Sequence, residues 1–268
     1  MDASEYTLKE PDVSTELASS LMDDEADLHF KITQHECRET LKYLSTLRPK
    51  VKEIDGFWLF TFLHLNAIAE HITSKSDVHA LSFLTDVELR QDPKDPRPFE
   101  LIFHFKENPY FSNSTLSKKF SLREGVQPAP EDGSITQEMR DFDEGDLKTT
   151  AVKIDWKSSE KDLCALAPRV KAPAHEHGAE CDHDDDDFEG DSGSFFWFFQ
   201  DESDPFHIGD ILVDELLPNV MRVFSGQMQD DDGEEDDEDE LDEEDGDEEE
   251  DIDLEAEEEQ PMRKKRKN

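Results

Sequence analysis

Four side chains able to hold a metal crowd nine residues of the chain: His175, His177, Cys181 and His183, followed at once by Asp184 to Asp187. Imidazole and thiolate suit zinc, copper or nickel. The spacing, His-x-His and then Cys-x-His, matches no closed structural site, and Gly, Ala and Pro flank it. Composition therefore favours a low-complexity surface loop over a metal centre, and no cofactor is expected. There is no nucleophile motif and no phosphate-binding glycine loop. With 71 Asp and Glu in 268 residues, chance carboxylate pairs carry no weight as acid–base sites. His64, His71, His79 and His104 fall in expected helix or strand, where packed or surface histidines are the commoner outcome. The expectation is a protein that is not an enzyme.

What the chain has in abundance is negative charge. Against the 71 acids stand 28 Lys and Arg, for a net charge of −43. That excludes a nucleic-acid binder working through a basic face and disfavours a bare anionic membrane. The complementary partner is cationic. Residues 230–259 hold 24 of the acids and no Lys, Arg or His; Asp230, Asp231, Asp232, Glu234 and Glu235 open that run. Its few apolar residues, Leu241, Ile252 and Leu254, cannot offset the entropy of ordering it. Such a run is either a solubilising tail or a flexible polyanion that competes with nucleic acid for basic proteins, with long-ranged, salt-sensitive attraction. Arg263, Lys264, Lys265, Arg266 and Lys267 follow and read as a nuclear localisation patch. Cys37, Cys164 and Cys181 are too few and too scattered for a disulfide framework, which fits a reducing compartment. The first residues lack the basic and apolar segments of a secretory signal. The longest apolar stretch, Phe57 to Leu63, is far too short to span a bilayer.

Residues 1–13 read as a loose end. From 14 to 56 the pattern is helical, with Leu17, Leu21, Leu28, Ile32, Leu41, Leu44 and Leu47 forming a stripe. A helix of about 40 residues is about 60 Å long and cannot hide that stripe against one compact body. The simplest partner is a second copy, making these seven residues the dimerisation face. Pro49 should kink or break the helix, and the alternative is two ordinary helices split there. Residues 57–72 are apolar nearly all round, marking a buried helix, and Ser76-Asp77 offers the cap of another. Period-2 patterns then mark four strands: Val87 and Leu89; Phe99 to Phe105; Leu116 to Leu122; and Val152, Ile154 and Trp156. Asp92 to Pro98 is expected as a turn, and 123–149 as a long loop or extended hairpin. Phe195 to Phe199 and a helical stretch from Ile208 to Phe224 should cover one face of the sheet. The fold class is α+β: a long N-terminal helix, then a four-stranded antiparallel sheet with helices packed on one side, then a disordered acidic tail. The expected division is 1–13 loose end, 14–56 long helix, 57–226 globular body and 227–268 tail.

Several blocks carry a family resemblance. Asp55-Gly56-Phe57-Trp58, Glu107-Asn108-Pro109-Tyr110-Phe111-Ser112-Asn113 and Leu116-Ser117-Lys118-Lys119-Phe120 resemble the nucleosome assembly protein (NAP) family. Ile154-Asp155-Trp156-Lys157-Ser158, Lys161-Asp162-Leu163 and Ser194-Phe195-Phe196-Trp197-Phe198-Phe199 look most like its SET/template-activating-factor branch, and Leu47-Arg48-Pro49 resembles the proline-bearing stretch of that family's long helix. The resemblance covers roughly residues 25–225. Between Pro49 and Phe57 this chain is several residues shorter, which bears on the helix geometry and dimer register.

The resemblance implies an ATP-independent histone chaperone: a homodimer joined along the long helix, with an "earmuff" of sheet and helices whose acidic underside binds core histones of either pair and promotes nucleosome assembly on chromatin. On that reading Asp201, Glu202, Asp204, Asp210, Asp214 and Glu215 match the family's acidic helical segment, and the tail from Asp230 adds capture. It implies a nuclear location, with possible shuttling to the cytoplasm, and no sequence-specific contact to nucleic acid. The alternative it implies is a regulatory docking protein that inhibits a phosphatase or masks histone tails from acetyltransferases.

Overall fold

The structure is a computed structural model that describes residues 11–171 and 190–228. All of these fall in one compact unit. The chain opens on α1 (Thr15–Val51), 37 residues in one helix and about 55 Å long. Ser14 caps it by accepting the Leu17 N–H at 3.3 Å, with Glu16 in the first turn and Arg48 and Lys50 in the last, as the helix dipole favours. Pro49 does not split it. It lies in the last turn, leaves the Ser45 carbonyl without its helical donor, and the helix stops two residues later. The helix therefore ends several residues before the expected 56. Gly56, at φ 77°, turns the chain into α2, a left-handed conformation glycine adopts without strain.

The single apolar stripe read from α1 is two stripes on opposite faces. Phe30, Cys37, Leu44, Leu47 and Val51 are buried, and Leu44, Leu47 and Val51 belong to the core of this chain, with Leu41 packed against it. Leu17, Leu21, Leu28 and Ile32 are 43–56% exposed. At about 100° per residue those four lie within an arc of about 60° on the side away from the core. Assigning Leu41, Leu44 and Leu47 to a dimer interface was wrong: they hold α1 to its own sheet. Sequence periodicity merged the two sets because both advance at helical steps.

Helices α2 (Phe57–Leu63), α3 (Asn66–Ala69) and α4 (Lys75–Leu81) follow, so the single helix expected over 57–72 is broken between Leu63 and Asn66. The cap of α4 is Ser74, one turn earlier than Asp77; its hydroxyl accepts the Asp77 N–H at 2.9 Å. Asp77 is buried and accepts from the Ser74 and Ser194 hydroxyls at 2.8 and 2.6 Å. Burial raises its pKa and those two hydrogen bonds pull it down.

The sheet runs β1 (Leu84–Asp92), β2 (Asp95–Phe105), β3 (Thr115–Leu122), β4 (Leu147–Thr149), antiparallel in that order. Pro96 and Pro98 fall within β2, yet they escape the ladder: Asp92 pairs with Asp95 and Gln91 with Phe99, leaving 96–98 as a bulge. The fourth strand is not Val152–Trp156. That segment makes only an isolated bridge from Trp156 to Phe111 and bonds to Tyr110, Ser112 and Phe199 outside the sheet. Its alternation is real but reflects a chain lying against the core edge, while three-residue β4 is too short to show a period. The tip of the β1–β2 hairpin meets α1 through Gln34, which donates to the Lys94 carbonyl at 2.8 Å. Arg48 forks onto Asp86 at 2.9 and 2.7 Å and reaches Glu88 at 3.1 Å. The helix thus lies alongside edge strand β1, protecting it from foreign strands.

One face of the sheet carries Val87, Leu89, Phe99, Leu101, Phe103, Leu116 and Phe120 into the core. Against it sit α5 (Trp197–Gln200) and a continuous helical run: Ile208–Asp210, a π-helical Ile211–Leu216, a 3-10 turn Leu217–Asn219 that starts Pro218 on a new turn, and Val220–Phe224. A side chain at Gly209 would overlap the Phe120 ring, so glycine sets how closely that run approaches β3. The segment between β3 and β4 folds back on the hairpin: buried Arg97 forks onto Asp95 at 2.7 and 2.9 Å and donates to the Gln127 carbonyl at 3.0 Å. It also reaches α1, where Arg140 donates to Asp27 at 2.7 Å. Among the described residues no helix is long and apolar enough to cross a membrane.

Candidate functional site

The six carboxylates expected in an acidic surface segment fall into two groups. Asp201 and Asp204 work inside the body. Asp201 pairs with Arg169 and accepts the Ser203 N–H at 3.2 Å. Its carbonyl and that of Ser203 accept from Lys118 Nζ at 2.6 and 3.2 Å. Lys118, fully buried in β3, was missed in the sequence because strand alternation reads the same whether a buried position holds lysine or leucine. Burial lowers its ammonium to about 8, opposed by the charges of Asp204 and Asp201. Asp204 accepts the Gly209 N–H at 2.7 Å through Oδ2, while Oδ1 is buried without a hydrogen-bond partner. Burial raises its carboxyl, and the Gly209 N–H and Lys118 pull it down. These two acids anchor the 201–209 turn to β3, although Asp201 stays partly exposed and Asp204 lines the first of the clefts described next.

Glu202, Asp210, Asp214 and Glu215 remain toward solvent, with Glu202, Asp214 and Glu215 exposed. They open on different clefts. Glu202 and Asp210 line a cleft of about 440 Å³ together with Arg123, Lys148 and His207, where the cations offset them. Asp214 lines a second cleft, about 570 Å³, with Glu36 and Glu39 of α1. This second cleft is the more consistently acidic, and it joins the long helix to the π-helical segment. Glu36 and Glu39 escaped sequence reasoning because nothing local marks them; only the packing of α1 beside Pro218 and Asn219 brings them to Asp214. Cys37 is buried there, and burial, first, pushes its thiol up to about 11, so it is an inert wall rather than a nucleophile.

A family model described as nucleosome assembly protein (NAP) matches residues 9–260. The chain belongs to the nucleosome assembly protein family. Among its relatives, the mouse nucleosome assembly protein 1-like 2 is 30% identical over 188 residues, covering 65% of this chain and 38% of that protein. Human protein SETSIP is 29% identical over 188 residues, covering 69% of this chain and 54% of that one. Protein SET of Drosophila melanogaster is 27% identical over 178 residues, covering 65% and 56%. The chain thus spans about half the length of these curated relatives or less, and SET-named relatives stand beside NAP1-named ones. Among solved structures, that of Ccp1 superposes with a TM-score of 0.54 at 20% identity, over 80% of this chain and 94% of that one. It shares the NAP fold described above.

Asp230, Asp231, Asp232, Glu234 and Glu235, the basic patch Arg263 to Lys267, and the His175, His177, Cys181, His183 cluster lie outside the described residues.

Proposed function

We propose that this protein is a histone chaperone of the NAP/SET type, acting without ATP in the nucleus as a homodimer. The observation that carries it is the family match across residues 9–260. Charge supports it: residues 1–229, without the acidic run, still hold 47 acidic and 23 basic side chains. Core histones are the abundant nuclear cations, and they collapse onto DNA in trapped, non-nucleosomal contacts when mixed freely. A soluble polyanionic scaffold lowers the histone charge available to DNA, then gives it up as the tighter wrapped contacts form. In this account Glu202, Asp210, Asp214 and Glu215, with Glu36 and Glu39, offer fixed carboxylates. The acidic run from Asp230 raises the capture rate and local concentration. Arg263 to Lys267 direct import. The exposed leucines of α1 form the dimer contact. No catalytic role is assigned to any residue.

The SET-named relatives support a second reading beside the first, a regulatory docking protein that inhibits a phosphatase or covers histone tails.

The test is a DNA competition. Full-length protein mixed with core histones before DNA should keep the mixture soluble at about 0.15 M salt and yield wrapped particles. If polyglutamate of equal total charge does as well, the folded body adds nothing and the chaperone proposal fails.

A further inference from the structure

The cleft of about 440 Å³ has walls of opposite sign. One wall is Arg123, just past β3, with Lys148 of β4; the other is the 201–210 turn, with Glu202, Asp204 and Asp210. The walls do not neutralise each other by contact. Arg123 donates its Nε–H to the Leu147 carbonyl at 3.0 Å, and among the described residues neither Arg123 nor Lys148 forms an ion pair. We propose that this bipolar cleft takes a segment bearing a carboxylate beside a lysine or arginine, as the folded part of a core-histone pair offers, and turns away uniformly basic chain. Arg123 and Lys148 are then specificity-determining residues of the body. The inference rests on the chaperone reading above and names the part of the partner that the body selects.

Three observations carry it. Both walls are fixed to the same pair of strands. The Arg123 N–H donates to the Asp146 carbonyl at 2.8 Å, and Lys148 stands opposite Ser121 in the β3–β4 ladder. The turn is tied down by Thr149, whose hydroxyl donates to the Glu202 carbonyl at 2.5 Å, and by Lys118 on the carbonyls of Asp201 and Ser203. A site held this way loses little freedom when it is filled. The second observation is Asp204. It lines the cleft, and its Oδ1 is buried without a partner. An acceptor left so is costly, and an ammonium or guanidinium entering beside Glu202 supplies the missing donor. The third is the apolar lining. Phe120, Leu147 and Pro205 also face the cleft, a surface for the alkyl stem of a lysine or arginine whose charged head reaches the acids.

Sign decides what enters. A run of lysines is attracted by the turn and repelled by Arg123 and Lys148, and like charges set against each other across an interface exclude wrong partners. A mixed segment satisfies both walls. The cleft thus does what a polyanion cannot. Residues 230–259, with 24 acids and no Lys, Arg or His, attract any cation in proportion to its charge.

Charge reversal in the full chain tests it. Arg123→Glu with Lys148→Glu makes the protein more negative at two exposed positions. It should bind polylysine more tightly, yet bind a core-histone pair lacking its tails about tenfold more weakly at about 0.15 M salt. Lys75→Glu with Lys153→Glu makes the same charge change at exposed positions outside the cleft and should tighten both. Lys148→Glu alone removes a side chain that makes no ion pair among the described residues. It should move the two affinities in the same opposite directions by less, so the test does not depend on how well the double variant folds. If reversal in the cleft tightens both ligands, as the control does, the cleft selects nothing and the proposal is overturned while the chaperone reading stands. If the unsubstituted chain does not hold the histone pair at all, that reading falls and this inference falls with it.

Discussion

Replacing Leu21 and Leu28 together by glutamate leaves the protein folded but monomeric. Both side chains are more than half exposed in the protomer, at 56% and 55%, so neither contributes to the core and the melting temperature of the body should move by only a few degrees. The pair should nonetheless dominate association. Four leucines leave the two-fold contact, each worth about 1.5–3 kcal/mol when fully buried, and four carboxylates enter a face that already carries Asp24 and Glu25. Allowing for incomplete burial, a loss of about 5 kcal/mol weakens the dimer by about 10⁴-fold. Sedimentation equilibrium at micromolar concentration measures it. A dimer of unchanged mass would place the contact elsewhere, and an unfolded monomer would show that the stripe is core after all.

The second large effect is on stability and comes from Phe196→Ala. Phe196 is fully buried, and its ring centre lies 5.5 Å from that of Phe111, 5.8 Å from Trp156 and 6.4 Å from Phe105. It thus ties the aromatic turn before α5 to β2, to the loop after it, and to the 152–157 segment that lies beside that loop. Truncating such a ring costs about 3–5 kcal/mol through lost burial and the cavity left behind. That is a large share of the 5–15 kcal/mol that a typical domain holds in reserve. Urea denaturation followed by tryptophan fluorescence should show it as a lower midpoint. Phe60→Ala is the control, since Phe60 is 46% exposed on α2 and its loss should cost about 1 kcal/mol or less. Equal effects at the two positions would mean that the aromatic turn is not the keystone of the core.

These two positions also show what the sequence makes legible and what it hides. Aromatic density at 195–199 is a strong local signal, and its burial follows directly from composition. The same holds for the period-2 runs that became β1, β2 and β3. The leucine stripe was visible as well, but it was read as one. The nine-residue step from Ile32 to Leu41 carries the pattern about half a turn round the helix, which sets Leu17, Leu21, Leu28 and Ile32 on the face opposite Leu44 and Leu47. β4 was missed because three residues carry no period, and Val152 to Trp156 was taken for it because a chain lying against the core edge alternates too. The acidic segment was found as composition but not as geometry. Asp201 and Asp204 look like their neighbours in sequence, yet buried Lys118 and Arg169 draw them inward. Glu36 and Glu39 meet Asp214 only through packing between residues far apart in the chain.

The central claim is that the folded body, and not merely a polyanionic tail, holds core histones. The direct measurement is the affinity of a chain truncated after Met228 for the two core-histone pairs at about 0.15 M salt, beside the full chain and the isolated tail. The described residues share one core and one compact unit, so truncation removes the acidic run while leaving the fold. The account predicts that the truncated protein still binds, about tenfold more weakly than the full chain, and that Asp214→Asn with Glu215→Gln weakens it further. Full affinity in the isolated tail, with no binding by the truncated body, would contradict it.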